Sequence, residues 1–156
     1  MALAWAMLAF AAPPPGGIEI AVIAADPPPR IDADTRSLRD IFLKRRRFDA
    51  DGLPLVPLNL PPDSPLREAF SEAVLGQSPR MLAQYWNERY FQGVSPPYVV
   101  RSQEAMLRFV AATPGALGYV MACHADGRVH VVARVTVRGV TAAGRDGCAG
   151  ANGPVD

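Results

Sequence analysis

The run from Ile18 to Ala24 is apolar at every position except Glu19. A strand of that pattern has no water-facing side, so it belongs inside a sheet that other elements cover on both faces. That requirement points to an α/β arrangement, and the rest of the chain must supply the helices that do the covering.

The helices are announced by their start signals and apolar periods. Leu38, Ile41 and Phe42 fall at i, i+3 and i+4 in a short helix for which Thr35 is the expected cap, and the basic run Lys44 to Arg47 follows as a solvated surface. Asp51-Gly52 marks a turn, and Leu53 to Leu60 reads as a second, Pro-spaced strand. Ser64-Pro65 then pairs an N-cap residue with Pro at the first helical position, ahead of Leu66, Ala69, Phe70, Ala73 and Val74 on one face, with Gly76 as the stop. Ser78-Pro79 repeats the signal. In this next helix Leu82, Tyr85, Trp86 and Tyr90 share a face, which is expected to pack in the core. Ser102 opens a further helix with Met106, Phe109 and Val110 inward, and Pro114-Gly115 closes it. Leu117 to Cys123 and Val129 to Val137 read as the last strands. Strands alternating with helices in this way predict a three-layer α/β sandwich whose sheet is mixed and mainly parallel.

With 156 residues and 49% apolar side chains the chain is expected to form one domain with a real core, at 18–138. Residues 1–12 form an Ala/Leu/Phe/Met/Trp run ending near Ala9-Phe10-Ala11, an A-x-A pattern, and are read as a signal peptide. The run falls short of the ~20 apolar residues that cross a bilayer. It also lacks a positive start, since no Lys or Arg precedes Arg30. Residues 13–17 form a Pro/Gly linker, and the Gly/Ala-rich stretch 139–156 is expected to be a disordered tail. A net charge of +1 argues against a nucleic-acid protein held by bulk charge, so any anion site must be local. Cys123 and Cys148 are able to pair in an oxidising compartment, but their spacing does not fix their distance. Neither they nor His124 and His130 form a closed metal pattern, and no metal or other cofactor is expected.

The candidate binding element is the loop from Asn59 through Asp63 and Ser64 into the helix that begins at Pro65. A helix start offers unpaired N–H groups and partial positive charge, which suits an oxyanion. The Ser64 hydroxyl is able to donate to such a ligand, and Arg67 stands one turn further on. The plainer reading keeps Ser64 as an N-cap and Arg67 as a solvated side chain. No Ser/His/Asp arrangement, Gly-x-Ser-x-Gly elbow or Walker pattern is present, and catalysis is not expected.

Several segments, in order, are similar to one family: Leu38-Arg39-Asp40-Ile41-Phe42, Asp51-Gly52, Phe70, Tyr85-Trp86, Phe91-Gln92-Gly93 and Thr113-Pro114-Gly115-Ala116-Leu117-Gly118-Tyr119. Over roughly Ile18 to Ala122 the chain resembles the phosphate-type periplasmic substrate-binding proteins of ABC transporters, in a short, mostly one-lobed form. The resemblance implies a periplasmic-binding-protein-like lobe outside the cytoplasm, a small oxyanion as ligand, phosphate first, and an ABC permease or another periplasmic protein as partner. A half-cleft protein of this kind could complete its site by pairing with a second copy, a homodimer, whereas an interaction module has no need to. At the anion loop Ser64-Pro65-Leu66 stands where the family has Ser-Gly-Thr, so Pro65 removes an N–H donor and Leu66 a hydroxyl. Only Ser64 carries over from the family's anion loop. A rival reading is an interaction or sensory module that keeps the fold without the ligand, presenting the basic run or an aromatic patch to a partner.

Overall fold

The computed structural model describes residues 17–138 and Cys148. The expected signal segment, the linker up to Gly16 and the tail other than Cys148 lie outside the described residues. Strand β1 (Gly17–Ala24) is followed by helix α1 (Thr35–Phe42), β2 (Val56–Asn59) and α2 (Pro65–Phe70), which runs on as a π-helical turn over Ser71–Leu75. Then come α3 (Pro79–Phe91), β3 (Tyr98–Val99), α4 (Gln103–Ala112), β4 (Ala116–Met121), a 3-10 turn (Ala122–His124) and β5 (His130–Arg138). Among the described residues no helix is long and apolar enough to cross a membrane.

The strands form one sheet in the order β3-β2-β4-β1-β5. β1 lies antiparallel to both β4 and β5, whereas β2 runs parallel to β3 and β4. Four strands therefore point one way and β1 alone opposes them, a mixed and mainly parallel sheet. The interior place that the apolar run of β1 required is the place it occupies, with Ile20, Val22 and Ile23 fully buried. Each such side chain contributes about 1.5–3 kcal/mol through burial.

Helices cover both faces. On one, Phe42 of α1 meets Phe70 of α2 edge to face at 4.8 Å, and Phe70 stacks on Tyr119 of β4 at 3.9 Å between centroids. Gly118, the neighbouring residue, points to the opposite face, where a side chain would collide with Met106 of α4, so glycine is what lets α4 sit close to the sheet.

Local signals account for most boundaries. Ser64, Ser78 and Ser102 each cap a helix with the side-chain oxygen, and Pro follows at the first position in α2 and α3. α1 differs from expectation, because Asp34 rather than Thr35 accepts from the Ser37 N–H. α3 differs too. Leu82 is buried and Tyr85 and Trp86 are half-buried, but Tyr90 and Phe91 are 66% and 83% exposed, so the expected core face holds only in the first half of the helix.

Candidate functional site

β2 ends at Asn59, and the loop to α2 is held by a chain of hydrogen bonds that begins there. Asn59 is buried, and its Oδ1 accepts a hydrogen bond of 2.8 Å from the Tyr119 hydroxyl. The Leu60 N–H donates to the same hydroxyl at 3.3 Å, and the Leu60 carbonyl accepts from Arg67 Nη1 at 2.8 Å. Burial pushes the Tyr119 phenol well above its ordinary range, against smaller downward pulls from the Leu60 N–H and the Arg67 charge. It therefore stays a neutral donor at any physiological pH, and the loop keeps its anchor.

The next residues turn tightly into the helix. The Ser64 N–H donates to the Pro61 carbonyl at 3.0 Å, its Oγ accepts from the Arg67 N–H at 3.4 Å, and its carbonyl accepts from the Glu68 N–H at 3.1 Å. The Ser71 hydroxyl donates to the Arg67 carbonyl at 2.7 Å, where the π-helical turn begins. Between this segment and α3 lies a cavity of about 230 Å³, lined by Pro62, Arg67, Glu68, Ser71 and Trp86 among others.

Of the four residues expected to bind a ligand, Asn59 and Arg67 are joined in one network through Tyr119 and Leu60, Ser64 caps α2, and Asp63 lies exposed on the loop. Arg67 faces the cavity while bound to the loop it follows, so it is neither fully solvated nor uncommitted. Asn59 offers its carbonyl oxygen inward to Tyr119. Sequence reasoning missed Tyr119, Ser71 and Trp86 as residues of this neighbourhood. Tyr119 lies in the Gly-Ala-Leu-Gly-Tyr segment, the strongest motif of the chain, but nothing in that segment says which loop its hydroxyl reaches.

A second cluster lies past the end of β4. Cys123 and Cys148 form a disulfide, and their sulfurs and a His124 ring nitrogen lie within 4.8 Å of one another. Metal-binding sulfur is a thiolate, so with the disulfide closed only the imidazole is left to serve as a ligand.

No protein-family model and no curated protein match the sequence. The fold is shared with solved structures. One is a protein of Clostridium perfringens, described as a phosphate ABC transporter substrate-binding protein and solved with phosphate bound; it is 20% identical with a TM-score of 0.62, over 75% of this chain and 45% of that one. An ABC-type phosphate transport receptor of Vibrio cholerae is 16% identical with a TM-score of 0.60, over 75% and 46%. PstS of Borrelia burgdorferi is 13% identical with a TM-score of 0.57, over 76% and 47%. The chain spans less than half the length of each. The likeness assigns the fold, that of a periplasmic-binding-protein lobe.

Proposed function

We propose that this chain is an extracytoplasmic binding module that takes a small oxyanion, phosphate first, at the start of α2. The observation that carries the reading is the Arg67 side chain lining a cavity next to the helix that Ser64 caps, in a fold shared with a phosphate-bound protein. Ser64 Oγ accepts from the Arg67 N–H and keeps its own O–H to donate. The Arg67 guanidinium donates one N–H to the Leu60 carbonyl and has others to offer an anion. The ligand is held by oriented dipoles and one cation, without bond chemistry. Pro65 withholds a donor and Glu68 brings a negative charge to the same cavity, so affinity is modest and falls with salt. The Cys123–Cys148 disulfide supports an oxidising compartment. In the full reading the loaded module docks on an ABC permease, or two copies complete one site.

Isothermal titration with phosphate, then sulfate and molybdate, at low salt tests the reading. Saturable binding of one oxyanion is expected, weakened in Ser64→Ala by about tenfold or more, as for a lost hydrogen bond of ~1.5–3 kcal/mol to a charged group. Absence of heat and of thermal stabilisation with every oxyanion rejects it. Light scattering with and without ligand reports whether pairing accompanies binding.

The ligand-free interaction module has one observation in its favour: the exposed aromatic and apolar residues Phe91, Tyr98 and Val99 are not among those that line the Arg67 cavity.

A further inference from the structure

Among the described residues the sheet ends at β3, whose outer edge carries no partner strand there. Tyr98 and Val99 are 67% and 52% exposed there, more than a blunted edge requires. Alternation sends the two side chains to opposite faces. Tyr98 turns to the side of α1, where Lys44 Nζ lies 5.9 Å from its ring centroid and donates to the Pro96 carbonyl at 3.4 Å. Val99 turns to the side of α4, where it lines an open groove of about 420 Å³ with Ala105 and Phe109, flanked by Arg101 and Arg108. On the α1 side a second groove of about 290 Å³ is lined by Lys44, Arg46, Arg47 and Phe48.

The backbone of Val99 supplies the pairing groups at this edge. The Val100 N–H donates inward to the Asn59 carbonyl at 2.8 Å, so the N–H and C=O of Val99 point outward from the sheet. Pro96 and Pro97 stop the ladder from extending backwards. An added strand would be short, with its alternate side chains over the apolar groove beside Val99 on one face and on the Tyr98 side, toward Lys44 at the end of the basic groove, on the other. Arg46 is spent on the Phe48 carbonyl and the Ser37 hydroxyl, whereas Lys44 and Arg47 pair with no carboxylate among the described residues.

We propose that the β3 edge accepts an extended segment of another protein as an added strand, one that alternates apolar with acidic side chains. A second copy of this chain is a poor occupant, because its own edge would bring Lys44 and Arg47 against the same cations. The proposal uses neither Ser64 nor any residue of the Arg67 cavity and stands or falls apart from oxyanion binding.

The test is fluorescence anisotropy of a short labelled peptide alternating valine and glutamate, beside one alternating valine and lysine and one with its valines and glutamates in separate blocks. The alternating acidic peptide is expected to bind best, to weaken with salt, and to shift the Tyr98, Val99 and Arg101 amide resonances. Val99→Pro removes the outward N–H, and Lys44→Glu with Arg47→Glu reverses the basic groove. Each is expected to weaken the acidic peptide by about tenfold or more, and the reversal to favour the lysine peptide. Circular dichroism identifies any variant that has lost its fold, and the other variant then decides. Equal binding of all three peptides, no binding at millimolar concentration, or indifference to both folded variants overturns the proposal. So does a concentration-dependent dimer that Val99→Pro abolishes, which would assign the edge to self-pairing.

Discussion

Tyr119 has two tasks: its ring stacks on Phe70 with planes 6° apart, and its hydroxyl ties Asn59 and Leu60 at the mouth of the candidate loop. Tyr119→Phe keeps the first and removes the second, leaving the Asn59 oxygen and the Leu60 N–H without that partner. The expected cost is about 1–3 kcal/mol, seen as a lower urea midpoint at unchanged slope. The same variant should weaken any oxyanion that needs the loop in place. At this scale the sequence was legible where chemistry is local. Ser64, Ser78 and Ser102 were readable as caps because a cap bonds within its own first turn, as each of them does. The partner of Asn59 was not readable, because Tyr119 is 60 residues away and only the adjacency of β2 and β4 brings the two together.

Gly115 shows why the most recognisable motif is an element-level feature. Its φ of 76° is left-handed, its carbonyl accepts the Val56 N–H at 2.9 Å, and a Cβ would strike the Pro54 carbonyl. This glycine lets the α4–β4 turn close against the entry to β2. Gly115→Ala should destabilise by more than about 1 kcal/mol, through strain that no other rotamer relieves, and calorimetry checks it. A second joint ties α4 to the turn before β5, where Arg128 bonds Glu104 at 2.8 Å and Asp126 at 2.7 Å. Hydrogen bonds to Arg128 hold both carboxyls low, each at about 2, and Glu104 gains further from Arg108. Because the folded values are depressed, their contribution is fully present above the ordinary carboxylate values of 4.5 and 3.8 and is lost as pH falls towards about 2. These groups are exposed, so the effect is small and screened by salt. Arg128→Gln should flatten the acid limb of a melting-temperature profile at low ionic strength, and an unchanged limb would assign that slope to other carboxylates. Helices were readable here from period and punctuation. β3 was not, because two residues behind Pro96 and Pro97 show no alternation and acquire strand geometry only by lying beside β2.

For the whole molecule, the disulfide closes a loop with a sequence separation of 25 between the 3-10 turn and Cys148. A loop of that length predicts about 3 kcal/mol of stabilisation, so a reductant should lower the melting midpoint by on the order of 10 °C, and Cys123→Ser should show the same loss without reductant. An unchanged midpoint would mean that the crosslink constrains nothing the fold needs. By itself the sequence determined that β1 is an interior strand, that helices cover the sheet on both faces, and where the capped helices begin. These follow from burial pattern and backbone chemistry within a few residues, which the chain carries wherever it goes. Only the tertiary structure decided that β1 runs against the other four strands, that Arg67 is tied to Leu60, that Cys123 meets Cys148, and that an apolar edge flanked by cations is left uncovered at β3 among the described residues. Each of these depends on which distant segments become neighbours, and that is settled by the packing of the whole sheet and its helices, not by any local preference.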